Sequence, residues 1–97
     1  MSAFIPVEEA KSLLEKGALV VDVRSQMEWE AGHAEGSLLL PLQELEERYD
    51  ELPRDRPLLM VCRSGARSQV AADFLRSLGY VEVHNLGPWQ RTPAQLD

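Results

Sequence analysis

Short β-branched apolar runs alternate with helix-period segments along the chain, and this alternation restricts the fold more than any other feature. Residues 18–23 are nearly all apolar, as a strand covered on both faces requires, and residues 58–61 repeat the pattern. Pro6 suits a first helical position, and Val7, Ala10, Leu13 and Leu14 then recur at helical spacing until Gly17. Ser25 with Glu28 reads as a capping box that opens a short helix, stopped by Gly32. From Pro41 a further helix carries Leu42, Leu45, Tyr49 and Leu52 on one face and closes before Pro53. Another begins near Ala66, with Val70, Ala71, Phe74, Leu75 and Leu78 inward and Gly79 at its end. Residues 3–5, 37–40 and 81–84 read as brief additional strands. Strands that alternate with helices predict an α/β fold with a mostly parallel sheet covered on both faces.

A chain of 97 residues suffices for one compact domain and is too short for two. Residues 1–97 are therefore expected to form a single domain, with 88–97, rich in proline and poor in periodicity, as an irregular tail. No apolar run approaches bilayer-spanning length, and no charged-then-apolar leader opens the sequence, so a cytoplasmic location is expected. The net charge of −6 argues against nucleic acid or an acidic membrane as partner. One cysteine excludes an internal disulfide and a cysteine-rich metal site, and two scattered histidines do not rescue the latter. Neither a metal nor a cofactor is expected.

In open α/β sheets, ligands bind beyond the carboxyl ends of the strands. Cys62 falls there, after the apolar run 57–61 and just before a helix. The loop Cys62-Arg63-Ser64-Gly65-Ala66-Arg67-Ser68 gathers two arginines where the amides opening a helix already carry partial positive charge. Cations are disfavoured at such a place unless an anion joins them. A thiol is nucleophilic only when ionised, and helix N-termini and nearby cations depress its pKa. Successive amides from 64 to 68 can form a concave nest, and Gly65 permits the left-handed backbone such a turn demands. A lone cysteine is more often a small buried hydrophobe, but packing does not account for Arg63 and Arg67 in an acidic chain. The loop reads as a cradle for a negatively charged sulfur species: Cys62 is the nucleophile, and Arg63, Ser64, Gly65, Ala66, Arg67 and Ser68 surround its ligand.

Further motifs precede the loop. They are Val21-Asp22-Val23-Arg24, then the run from Glu28-Trp29 through Gly32-His33-Ala34-Glu35-Gly36-Ser37, then Pro41. In this order and spacing the chain resembles the single-domain rhodaneses. The resemblance implies a three-layer α/β/α fold with a five-stranded, mostly parallel sheet. It also implies a sulfurtransferase in which Cys62 takes a sulfane sulfur from thiosulfate, polysulfide or a persulfide. The resulting Cys62 persulfide would pass that sulfur to cyanide, a thiol or a thiol protein. Arg67 and Arg63 would hold a sulfonate by charge-assisted bonds, and the amides would stabilise the terminal sulfur as an oxyanion hole stabilises oxygen. No second cysteine exists to attack the persulfide, so the acceptor is another molecule. In cysteine-dependent phosphatases the loop arginine lies six positions after the cysteine; here that position is Ser68, and the shorter loop looks sized for sulfur. Two other readings remain at this level: a binding module on the same scaffold without turnover, and a thiol-dependent reductase or phosphatase.

Asp22 and Arg24 fall at a strand exit and read as a charged brace beneath the loop, with Arg24 paired to Glu28 or Glu30. His33 is a candidate general base, but its place after the Gly32 helix stop favours a structural role, and His84 has less to recommend it. Trp29 fits a core position. Trp89 follows Gly87-Pro88 where the resembled family shows paired glycines, a departure that bears on the pocket wall on that side.

Overall fold

In the computed structural model, which describes residues 4–96, the sheet is wholly parallel with strand order β2-β1-β3-β4. The strands are β1 (Leu19–Asp22), β2 (Leu38–Leu39), β3 (Leu58–Cys62) and β4 (Val83–Pro88). Five helices connect and cover them: α1 (Val7–Glu15), α2 (Gln26–Ala31), α3 (Leu42–Arg48), α4 (Ala66–Ser77) and α5 (Pro93–Leu96). None is long and apolar enough to cross a membrane.

The pleat of β3 sorts the core into two halves. Leu58, Met60 and Cys62 face Val21, Val23, Leu45, Ala71 and Leu75 on the side of α3 and α4. Leu59 and Val61 face Ala10, Val20 and Leu86 on the side of α1. Every residue of β3 is buried, so both faces of the strand contribute, at roughly 1.5–3 kcal/mol for each large apolar side chain. This central burial makes the C-terminal end of β3 a fixed platform.

The five-stranded expectation is corrected to four strands among the described residues. Ala3 lies outside them. Ile5 donates a single backbone hydrogen bond to the Asn85 carbonyl (3.0 Å) and then gives way to Pro6, which has no N–H to extend a ladder and opens α1. The last strand lies further along than residues 81–84, because Val81 is exposed and β4 begins at Val83. A bulge then pairs Met60 with Asn85 but Val61 with Gly87, which leaves Leu86 as the extra residue.

In α4 the buried stripe is Ser68, Ala71, Ala72 and Leu75, the i, i+3, i+4, i+7 pattern. Val70 lies off that stripe and is 56% exposed, against the expectation that it points inward. Residues 88–97 are not the irregular tail expected. Pro88 ends β4, Trp89–Arg91 form a 3-10 turn, and α5 follows; Asp97 lies outside the described residues. The Arg91 guanidinium donates to the carbonyls of Leu86 (2.8 Å) and Ile5 (2.7 Å), which ties this segment to the start of the chain.

Candidate active site

Cys62 ends β3, and the chain turns at once into α4 through Gly65, whose φ of 100° lies in the left-handed region. A β-carbon at Gly65 would overlap the Phe4 ring, so glycine is required there by both backbone and packing. The turn aims the Gly65 N–H at the Cys62 sulfur, 2.9 Å away, and brings the Ser68 hydroxyl to 3.4 Å from the same atom. Cys62 itself is fully buried. Burial pushes its thiol pKa up. The Ser68 hydroxyl and the amides of Ser68, Gly65 and Ser64 favour the thiolate and more than offset that cost, so the pKa falls below the ordinary thiol value. The Ala66 amide, by contrast, is directed to the Ser64 hydroxyl at 3.4 Å.

Asn85, which the sequence reading passed over, is the hub behind this turn. Its amide nitrogen donates to the Gly65 carbonyl (3.0 Å) and to Gln69 Oε1 (3.1 Å). Its Oδ1 accepts from the Gly87 amide (3.0 Å) and from the Ser68 hydroxyl (2.7 Å). All four hydrogen-bonding positions of the side chain are therefore filled in a buried setting. Ser68 has one proton for two acceptors, Asn85 Oδ1 and the sulfur. It can rest on the amide while Cys62 is a thiol and turn to the sulfur when a thiolate forms. The available signal was an asparagine beside the predicted strand 81–84, directly before Leu86.

The two loop arginines differ. Arg63 is exposed, and its side chain pairs with no described residue. Arg67 holds Glu28 through both terminal nitrogens, Nη1–Oε1 at 2.7 Å and Nη2–Oε2 at 3.0 Å. Arg67 lowers the Glu28 pKa to about 2, with help from the Ser25 amide. Glu28 also completes the capping box of α2: its Oε1 accepts from the Ser25 N–H (3.0 Å), and the Ser25 hydroxyl accepts from the Glu28 N–H (3.2 Å).

The expected pairing of Arg24 with Glu28 or Glu30 is corrected. Its guanidinium grips Asp22, with Nε 3.0 Å from each carboxylate oxygen and Nη2 2.9 Å from Oδ2. It also donates to the Gly32 carbonyl (2.7 Å) and lies 4.8 Å from the centre of the Trp89 ring. The reason is geometric: the Glu28 carboxylate is already turned to Ser25 and Arg67, and Glu30 accepts from Gln26 on the exposed face of α2. His33 is exposed, bonds the Trp29 carbonyl through Nδ1 (2.8 Å) and stacks on the Trp29 ring at 3.6 Å. Trp29 is thus half-buried beside His33 and not in the core. Among the described residues no group of three or more His, Cys, Asp or Glu side chains could hold a metal ion.

A buried sulfur approached by the Gly65 amide and the Ser68 hydroxyl, at the end of a parallel strand, fits what the comparisons show. The model of the rhodanese-like domain matches residues 6–87. A thiosulfate sulfurtransferase, GlpE of Pseudomonas fluorescens (strain SBW25), is 36% identical over 103 residues, covering 99% of this chain and 94% of that protein. The Bacillus subtilis protein YqhL is 39% identical over 69 residues, and the match spans 55% of its length. The crystal structure of reduced Bacillus anthracis CoADR-RHD superposes with a TM-score of 0.81 at 33% identity, covering 96% of this chain and 17% of that one. With its Cys62 loop, its fold and its sequence in agreement, the chain belongs to the rhodanese-like domain family of sulfurtransferases.

Proposed function

We propose that this chain carries a sulfane sulfur as a persulfide on Cys62, between a small sulfur donor and an external thiophile. The observation that carries the reading is the sulfur itself: buried, yet held toward its ionised form by the Gly65 amide at 2.9 Å and the Ser68 hydroxyl at 3.4 Å. The naming of similar proteins as thiosulfate sulfurtransferases supports it.

With thiosulfate, the Cys62 thiolate attacks the outer sulfur, the S–S bond breaks, and sulfite leaves with the electron pair. The transferred sulfur remains on Cys62 as a persulfide anion, stabilised by the same amides. Cyanide or a thiolate then attacks that outer sulfur, and the Cys62 thiolate is regenerated as thiocyanate or a new persulfide departs. Splitting the transfer in this way predicts ping-pong kinetics. Incubation with thiosulfate should add a single sulfur to Cys62 by mass spectrometry, and cyanide should release it as thiocyanate. Cys62→Ser should do neither. Wild-type protein that gains no adduct from thiosulfate, polysulfide or an organic persulfide ends this reading.

A further inference from the structure

We infer that Glu28 sets the donor preference of this site, by occupying Arg67 and thereby favouring organic persulfides over dianionic thiosulfate. The inference rests on the persulfide chemistry proposed for Cys62 and deepens it.

An arginine recognises a sulfonate best through its planar fork of paired N–H donors. In Arg67 both terminal nitrogens are already bound to the Glu28 carboxylate, at 2.7 and 3.0 Å. A sulfonate could take the fork only by displacing Glu28, and Glu28 is not free to swing away. Its Oε1 also accepts from the Ser25 amide and hydroxyl, at 3.0 and 3.2 Å, so moving the carboxylate aside would cost these bonds and uncap α2. If Glu28 stayed, a dianion drawn to Arg67 would meet a carboxylate that already lies 2.7 and 3.0 Å from the same guanidinium nitrogens. With a pKa of about 2, that carboxylate is ionised at any physiological pH. Arg63 remains as the one loop arginine without a described partner, enough for a single negative charge.

A persulfide R–S–SH escapes this penalty because it brings no sulfonate. The Cys62 thiolate attacks its outer sulfur, the S–S bond breaks, and R–S⁻ leaves with the electron pair. Cys62–S–SH is formed, and atoms and charge balance with no further reagent. The cap of α2 and the choice of donor are thus set by one side chain.

Glu28→Gln tests this. The glutamine carbonyl can still accept from the Ser25 amide, so the helix start is preserved while the negative charge is removed. The measurement is kcat/KM for thiosulfate and for the persulfide of 2-mercaptoethanol, which carries no sulfonate and at most one charge, in wild type, Glu28→Gln and Ser25→Ala. Glu28→Gln should raise kcat/KM for thiosulfate about tenfold, mainly through KM, as expected for removing one unit of like charge beside the arginine that attracts the donor. The value for the persulfide should change less than about twofold on the same grounds. Ser25→Ala weakens the same helix start but leaves the carboxylate, and should leave the donor ratio unchanged. A Glu28→Gln ratio equal to wild type overturns the inference, and so does an equal shift in Ser25→Ala. Either result with normal loading of Cys62 leaves the persulfide reading standing, whereas no loading from either donor removes that reading instead.

Discussion

Two arginine–carboxylate pairs flank the Cys62 loop, and they differ in depth. Asp22–Arg24 is almost wholly enclosed, with side-chain exposures of 0% and 5%; Glu28–Arg67 is open, at 29% and 38%. Arg24 commits its donors to Asp22 and to the carbonyls of Gly32 and Glu28, and its flat face lies against Trp89. Arg67 meets Glu28 alone. In a low-dielectric setting a charge that loses its partner is stranded, so a buried pair cannot be exchanged for solvent or ligand without large cost. At the surface, water replaces either partner, and a pair can be opened by the chemistry it serves. The same two groups therefore act as a fixed brace at one depth and as a tunable filter at the other.

The largest expected effect breaks the deeper pair. Arg24→Ala leaves the Asp22 carboxylate buried without its counter-charge, and the unfolding free energy should fall by about 3–5 kcal/mol. Denaturant melts of the two proteins measure this directly. A loss below about 1 kcal/mol, the range of exposed pairs, would erase the distinction between the two sites.

Local patterns made the brace and the filter only partly readable. The capping box joins Ser25 to Glu28 three positions on, and both of its hydrogen bonds form as the spacing demands. The loop from Cys62 to Ser68 was legible for the same reason, since a strand exit, a glycine and a helix start are contiguous. Partners distant along the chain left no such trace. Glu28 and Arg67 lie 39 positions apart, and Asn85 reaches Gly65 across 20. The glutamates of the following helix are near Arg24 in sequence, while the partner its guanidinium grips, Asp22, depends on how β1 ends. The start of β4 at Val83 is set by its pairing with Leu58, a long-range register that no run of residues displays by itself.

Between the two pairs in expected effect stands Ser68, buried but neutral. On the proposed chemistry it positions the ionised sulfur, because its hydroxyl lies 3.4 Å from Cys62 Sγ and favours the charged form against the cost of burial. Reactive thiolate accumulates as pH rises through that pKa. Ser68→Ala should therefore move the pH midpoint of Cys62 alkylation by iodoacetamide upward, with a stability loss of about 1 kcal/mol. Ser68→Thr should restore the midpoint, which a purely packing role would not predict. An unchanged midpoint in Ser68→Ala would mean that the amides alone poise the sulfur.

The smallest effect sharpens the contrast from the exposed side. Glu28→Gln should cost no more than about 1 kcal/mol at neutral pH, because solvent screens a pair this open. The sign of its pH dependence follows from the carboxyl, whose pKa is lowered from an ordinary 4.5 to about 2 by Arg67. A depressed acid contributes stability above its unfolded value and loses it as pH falls through its folded value. The stability difference between wild type and Glu28→Gln should hence be constant above about pH 5 and vanish between 4.5 and 2, where protonated Glu28 and glutamine become equivalent. Thermal melts across that interval read it. A gap that widens on acidification, or one as large as that of Arg24→Ala, would show that Glu28–Arg67 is a second brace, and the filter would lose its physical basis.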